Sequence, residues 1–276
     1  MAKIWFITGA SRGLGAHIVR AVLASGDSVV AAVRDPARAD LPAHPQLLKV
    51  ALDVRDEAAA QAAVRAAVDR YGTVDVLVNN AGYGLLAAIE EGSAAEVEAM
   101  FATNVFGLLA VTRAVLPQMR AQRSGHVLNL SSIGGYMASA GWGLYCATKF
   151  AVEGITEALA QELAPLGVRA TVVEPGYFRT EFLDGSSLQR AGRTIADYAD
   201  TVGQLRERAT ALNKQQPGDP ERLARALVEL VAAEDPPVRL PLGKDTVAWI
   251  EAKHARVAGE LATWRALAES TGFDAA

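Results

Sequence analysis

Thr8-Gly9-Ala10-Ser11-Arg12-Gly13-Leu14-Gly15 follows directly on an apolar run, Ile4-Trp5-Phe6-Ile7, that begins after Lys3, and runs into a segment with apolar residues at Leu14, Ile18 and Val22. The run predicts a strand over 3–8, and the 3.6-residue spacing behind it predicts a helix that opens within the glycine turn. Glycines let the backbone bend sharply and approach a pyrophosphate closely. The phosphate charge is then met by free amides and the positive end of the helix. By itself such a stretch is a tight turn; set between a strand and a helix in the first βα unit, it predicts a nucleotide site.

Working outward, β-branched runs recur at 28–33, 47–54, 74–79, 126–131, 168–174 and 238–242, each followed by a longer segment of helical character. Val74-Asp75-Val76-Leu77-Val78 is nearly continuous in apolar residues rather than alternating, as expected of a strand covered on both faces. Apolar residues at Val97, Phe101, Val105 and Leu108 mark one of the intervening helices. Right-handed crossovers then give an α/β, Rossmann-type, doubly wound and mainly parallel sheet of seven strands, with residues 1–276 as a single domain.

The chain has 276 residues, of which 51% are hydrophobic and 21% charged, enough for a substantial buried core. A net charge of −4 gives no field favouring nucleic acid or an anionic membrane, and neither is expected as a partner. No stretch reads as a membrane span. Cys146 is the only cysteine, so no intrachain disulfide forms, a reducing compartment fits, and a cytoplasmic location is expected. His17, His44, His126 and His254 are scattered without acidic or thiol partners at ligand spacing, and no metal site is expected. Composition turns polar after Phe182, and 184–217, with glycines at 185, 192 and 203, predicts a helical lid inserted before the helix that Asp219-Pro220 opens.

Further motifs follow in order. Asn79-Asn80-Ala81-Gly82 ends the fourth expected strand, Ser132 follows the fifth, Tyr145 and Lys149 are four apart at the start of a helix, and Pro175-Gly176 ends the sixth. With the Thr-Gly-x-x-x-Gly-x-Gly turn, this series resembles the short-chain dehydrogenase/reductase family over roughly residues 3–182.

The residues carry a chemical argument of their own. Tyr145 and Lys149 share one helix face, where an ammonium favours the ionised form of a phenol and brings it toward the range useful for proton transfer. Ser132, at the carboxyl end of a strand, can hydrogen bond a carbonyl oxygen beside the tyrosine, while strand alternation turns Ser131 away. Leu130-Ser131-Ser132-Ile133-Gly134 lacks a nucleophile elbow, so hydrolysis is not expected. Cys146 has no histidine near it in sequence and reads as a small buried helix residue. Asn104 interrupts an apolar helix and needs buried partners.

The resemblance implies an oxidoreductase that moves hydride between a nicotinamide dinucleotide and a carbonyl or secondary alcohol, with Asn104, Ser132, Tyr145 and Lys149 as the catalytic set. It implies that an asparagine at the place of Asn104 holds a water linking the lysine to solvent, and that Lys149 also holds the nicotinamide ribose. The cofactor site would comprise Gly9, Ser11, Arg12, Gly13, Leu14 and Gly15 at the turn, Asp53 and Val54 at the adenine, Asn80, Ala81 and Gly82 on the ribose side, and Pro175, Gly176 and Thr180 at the nicotinamide. NAD-using relatives carry an acid at the end of the second strand; here that place holds Val33, followed by Arg34, so NADP is expected over NAD, with Asp35 as the opposing consideration. Tyr83, Gly134, Trp142, Tyr177, Phe178 and Phe182 are expected around a medium-sized or bulky apolar substrate. A homodimer or homotetramer is expected. The alternative is a nucleotide-sensing protein of the same fold without the chemistry.

Overall fold

The strand Ile4–Thr8 (β1) is buried along its whole length, and the helix Gly13–Ala24 (α1) returns over one face of it. The computed structural model describes residues 2–185 and 187–273. The chain continues through Ser28–Val33 (β2), Leu47–Ala51 (β3), Glu57–Tyr71 (α2), Val76–Asn79 (β4), Gly84–Leu86 (β5), Ala94–Phe101 (α3), Leu108–Gln122 (α4), Gly125–Leu130 (β6), Ile133–Tyr136 (α5) and Gly143–Leu163 (α6). It ends with Val168–Pro175 (β7), Leu188–Arg190 (β8), Gln204–Leu212 (α7), Pro220–Ala232 (α8), Arg239–Leu242 (β9) and Lys244–Glu269 (α9). Seven strands form one sheet in the order β3-β2-β1-β4-β6-β7-β9, and each of its pairings is parallel. The order reverses between β1 and β4, which opens a crevice at the carboxyl ends of those strands, where ligands bind in sheets of this kind.

Both faces of the sheet are covered. Val29, Ala31 and Val78 pack with Ile18, Val22, Leu223 and Leu227 of α1 and α8 on one side. Phe6, Val30 and Leu77 pack with Val64, Val111, Val115 and Leu159 of α2, α4 and α6 on the other. α8 starts where the sequence places it, with the Asp219 carboxylate accepting the Glu221 amide at 2.8 Å and Pro220 in the first turn.

Three features depart from the sequence reading. β3 stops at Ala51, leaving 52–54 as a loop. Residues 94–122 form a continuous helical run with the length and apolar composition of a membrane span, but Met100, Val111, Val115 and Met119 are fully buried inside the protein. The 184–217 segment contains a strand: β8 pairs in parallel with β5 to form a separate two-stranded sheet. Ser186, inside that segment, lies outside the described residues.

Candidate active site

The end of β1 is laced to the end of β4. Thr8 Oγ1 donates to the Val78 carbonyl at 3.3 Å and accepts the Asn80 and Ala81 amides, each at 3.0 Å. Asn80 Nδ2 returns to the Thr8 carbonyl at 2.9 Å and the Gly9 carbonyl at 3.1 Å, so its side chain holds the glycine turn in place. Gly9 has φ +62°, and a Cβ there would lie 2.9 Å from Ala81 Cα; at Gly15 a Cβ would fall 2.4 Å from the Gly9 carbonyl oxygen. Both positions therefore exclude side chains, and Gly15 acts by close packing behind the turn.

α1 has no side-chain cap and no acid in its first turn. By contrast α2, α3 and α8 are capped by Asp56, Ser93 and Asp219. The positive end of α1 opens into a cleft of about 680 Å³. That pairing of an uncapped helix end with a glycine cradle fits a dinucleotide pyrophosphate. Every expected cofactor-site residue lines this cleft except Gly15, which supports the turn from behind.

At one end of the cleft, Asp53 is paired with Arg55 at 2.5 Å, and the guanidinium holds its carboxyl below the usual range. Arg55 also lines the cleft, and nothing in the sequence marks it out from a surface arginine. β2 ends at Val33 and Arg34 faces the cleft. Asp35 is occupied elsewhere: its Oδ1 accepts the Ala37 amide at 3.0 Å and the Arg38 amide at 3.3 Å.

Ser132, Tyr145 and Lys149 meet at the middle of the same cleft. Ser132 caps α5, and its Oγ accepts the Gly134 amide at 3.0 Å, which leaves the hydroxyl proton to be donated outward. Lys149 is buried; its Nζ donates to the Leu130 carbonyl at 2.7 Å and lies 5.8 Å from the centroid of the Tyr145 ring. Burial lowers the lysine pKa to about 8, opposed by the charge of Glu153 one turn along α6. Burial raises the pKa of Tyr145 well above that of a free phenol, opposed by its hydrogen bond with Ser132. For the tyrosine, desolvation thus outweighs the expected effect of the nearby ammonium, and the phenol is held in its protonated form.

Asn104 interrupts its helix as the sequence places it, and a Cβ on Gly82 would meet both Asn104 Oδ1 at 3.0 Å and Lys149 Nζ at 3.8 Å. Asn104 lies in a π-helical turn, Ala102–Gly107, is 1% exposed and does not line the cleft. Its Oδ1 accepts the Tyr83 amide at 3.0 Å, and its Nδ2 donates to the Tyr83 carbonyl at 2.9 Å and to Thr148 Oγ1 at 3.1 Å. The side chain is therefore engaged by protein groups, tying the exit of β4 to α6 one residue before Lys149.

Toward the other end of the cleft, the centroid of the Tyr145 ring stands 5.8 Å from that of Trp142 and 5.8 Å from that of Phe182. Tyr83, Gly134, Tyr177 and Phe178 line the cleft, joined by Trp249 of α9, which packs edge-on against Tyr177 at 6.0 Å. The inserted segment closes this end by packing Leu188 and Ala209, together with the preceding Leu183, against Leu86, Trp142 and Tyr145. Three carboxylates, two just before α3 and one in its first turn, fasten it. Glu91 accepts the Ile195 amide at 2.9 Å and pairs with Arg206, Glu96 accepts the Gly192 amide at 2.9 Å, and Glu90 accepts the Tyr198 hydroxyl at 2.8 Å. Among the described residues no three His, Cys, Asp or Glu side chains gather as a metal site.

The short chain dehydrogenase family model matches residues 3–191. A 3-ketodihydrosphingosine reductase of Bacteroides thetaiotaomicron is 36% identical over 242 residues, 87% of this chain and 88% of that protein. The crystal structure of a short-chain dehydrogenase from Streptomyces avermitilis superposes with TM-score 0.91 and 39% identity, covering 99% of this chain and 100% of that one. A 3-ketoacyl-(acyl-carrier-protein) reductase from Brucella melitensis, solved with NADH, superposes with TM-score 0.73 and 29% identity over 87% of this chain and 96% of that one. A glycine cradle at an uncapped helix, a Ser-Tyr-Lys group in the same cleft, and a family match over more than half of its length together establish that this chain belongs to the short-chain dehydrogenase family of oxidoreductases.

Proposed function

We propose that the protein is an NADP-dependent oxidoreductase acting between a ketone or aldehyde and the corresponding alcohol, with a medium-sized to bulky apolar substrate. The observation that carries this reading is that Ser132, Tyr145 and Lys149 open onto the same cleft as the uncapped end of α1. When bound, the nicotinamide supplies hydride to the carbonyl carbon, or accepts it from the carbinol carbon. In the reducing direction the Tyr145 phenol gives its proton to the carbonyl oxygen while Ser132 donates a hydrogen bond to the same oxygen. The Lys149 ammonium stabilises the resulting phenolate, and a proton from solvent restores the phenol. Pro175, Gly176 and Thr180, which line the cleft, would border the nicotinamide.

Preference for the 2′-phosphate is supported by Arg12 and Arg34 in the cleft wall, by Val33 in the place of the ribose-binding acid, and by the commitment of Asp35 to its own turn. The aromatic wall of Trp142, Tyr177, Phe182 and Trp249 supports an apolar substrate. The Bacteroides relative is named as a reductase of a 3-keto compound, which agrees in reaction class.

The test is a panel of aliphatic, alicyclic and aromatic ketones with NADPH and NADH, followed by nicotinamide absorbance. NADPH-dependent reduction favouring the bulky apolar members is expected. Cofactor binding without turnover of any carbonyl or alcohol would overturn the reading.

A further inference from the structure

Behind the catalytic group lies a buried ionic cluster that the mechanism above does not use. Glu153 on α6 and Glu174 at the end of β7 are 5% and 1% exposed. Arg239 of β9 serves both: its Nη1 reaches Glu153 and lies 2.8 Å from Glu174, while Nη2 lies 2.6 Å from the half-exposed Glu157. Three carboxylates thus face one guanidinium, which itself lies 5.5 Å from the centroid of the Tyr136 ring. Lys253 and His254 of α9 engage the Tyr136 carbonyl and hydroxyl on that ring rather than the carboxylates.

The positions of these residues relative to the site are the informative part. Glu153 is one helical turn after Lys149, and Glu174 immediately precedes Pro175. The Ser131 hydroxyl, beside Ser132, is directed to the Lys149 carbonyl at 3.5 Å and stands next to Glu153, whose Oε1 is otherwise sealed without a donor. Gly135 completes the enclosure, since a Cβ there would lie 2.3 Å from Ser131 Oγ and 2.7 Å from Glu153 Oε1. Each of the three elements that bring a group to the active site therefore also brings a group to this cluster.

We propose that Glu153, held by Arg239, is a positioning residue that keeps the buried Lys149 ammonium charged through the working pH range. Burial works against that charge, and Glu153 is the group that opposes burial. Burial and the neighbouring Glu174 raise the pKa of Glu153 itself, so the support it gives strengthens as the pH rises toward the range where the lysine would lose its proton. This inference rests on the oxidoreductase reading, in which Lys149 serves both ribose and tyrosine.

The test compares Glu153→Gln, Glu153→Asp and Glu174→Gln with the wild type. NADPH affinity is read by fluorescence, and turnover of one reducible ketone is read across about pH 6 to 10. Glu153→Gln removes the supporting charge, so the alkaline limb of both profiles moves down by about one pH unit and turnover at pH 8 falls about fivefold or more. Glu153→Asp withdraws the charge by one methylene and lies between Gln and wild type. Glu174→Gln leaves Glu153 ionised and the limb in place. An unmoved limb in Glu153→Gln, or equal shifts in Glu153→Gln and Glu174→Gln, overturns the proposal. If Glu153→Gln does not fold, the limb of Glu153→Asp decides in the same way. A wild type that neither binds NADPH nor reduces a ketone counts against the oxidoreductase reading instead.

Discussion

Lys149 Nζ lies 5.8 Å from the centroid of the Tyr145 ring while its proton is donated 2.7 Å to the Leu130 carbonyl, two residues before Ser132. One hydrogen bond thus fixes the lysine against both the strand that delivers the serine and the helix that delivers the tyrosine. The phenol between them is buried and protonated, the form that can donate.

Tyr145→Phe should therefore reduce kcat by at least about a hundredfold, since proton transfer by a positioned acid contributes roughly 10²–10⁴. The ring contacts to Trp142 and Phe182 remain, so NADPH affinity should change by less than about threefold. Lys149→Ala should lose both turnover and affinity. Single-turnover kinetics beside fluorescence titration of NADPH checks this; tight cofactor binding by Lys149→Ala would contradict the double role.

Arg34→Ala should weaken NADPH binding by about 10- to 100-fold and leave NADH nearly unchanged, the range expected for loss of a charge-assisted hydrogen bond to phosphate. Asp35→Asn should alter neither ratio, because its carboxylate caps the turn at Ala37 and Arg38. Comparing kcat/KM for the two cofactors in both variants measures this directly. Equal use of NADH by the wild type would oppose the assignment.

Much of this was legible in the sequence because it depends on local order. The 3–8 run, the glycine turn and the four-residue spacing of Tyr145 and Lys149 each occupy one strand or one helical turn, so position along the chain nearly specifies position in space. β5 and β8 were not legible: each is three residues long, their pairing joins Gly84 to Leu188 across about a hundred residues, and no periodicity shows in so short a run. Asn104 was legible as a buried polar group, but its partners, Tyr83 and Thr148, come from distant segments. The Arg239 cluster assembles from three separate strands and helices, and nothing around Glu153 in the sequence distinguishes it from a solvated helix glutamate.

His126 provides a pH test of the fold away from the active site. It is 4% exposed in β6, and burial lowers its pKa to about 4. Thr171 Oγ1 donates to the Pro237 carbonyl at 2.7 Å, so it accepts from His126 Nε2–H at 2.9 Å, which fixes the neutral tautomer. In the unfolded chain the same imidazole takes up its proton near pH 6.5, so between about 6.5 and 4 the unfolded state binds more protons and stability falls as the pH drops. The loss approaches about 3 kcal/mol at the lower limit. Denaturant titration from pH 7.5 to 4 should show it, and His126→Gln, which keeps an N–H donor for Thr171, should flatten the slope. An equal slope in that variant would place the titrating group elsewhere.

The inserted segment should move less freely than its glycines suggest, because Glu91 fastens it. The Glu91 side chain is fully buried; it accepts the Ala88 amide at 2.8 Å and the Ile195 amide at 2.9 Å, and pairs with the 16% exposed Arg206 side chain. In Glu91→Gln one of the two oxygens becomes an amide that faces N–H donors, and Arg206 is left without its partner. Removing one member of a buried pair costs roughly 3–5 kcal/mol, and here that cost falls on the segment rather than on the sheet. KM for a bulky ketone should rise about tenfold while NADPH affinity stays within about twofold, since the cofactor cradle lies on β1, α1 and β4. Limited proteolysis should cut between about 190 and 212 in the variant faster than in the wild type. If Glu91→Gln is cut no faster and its KM is unchanged, Leu183, Leu188 and Ala209 alone hold the segment over Tyr145, and its closure comes from apolar packing.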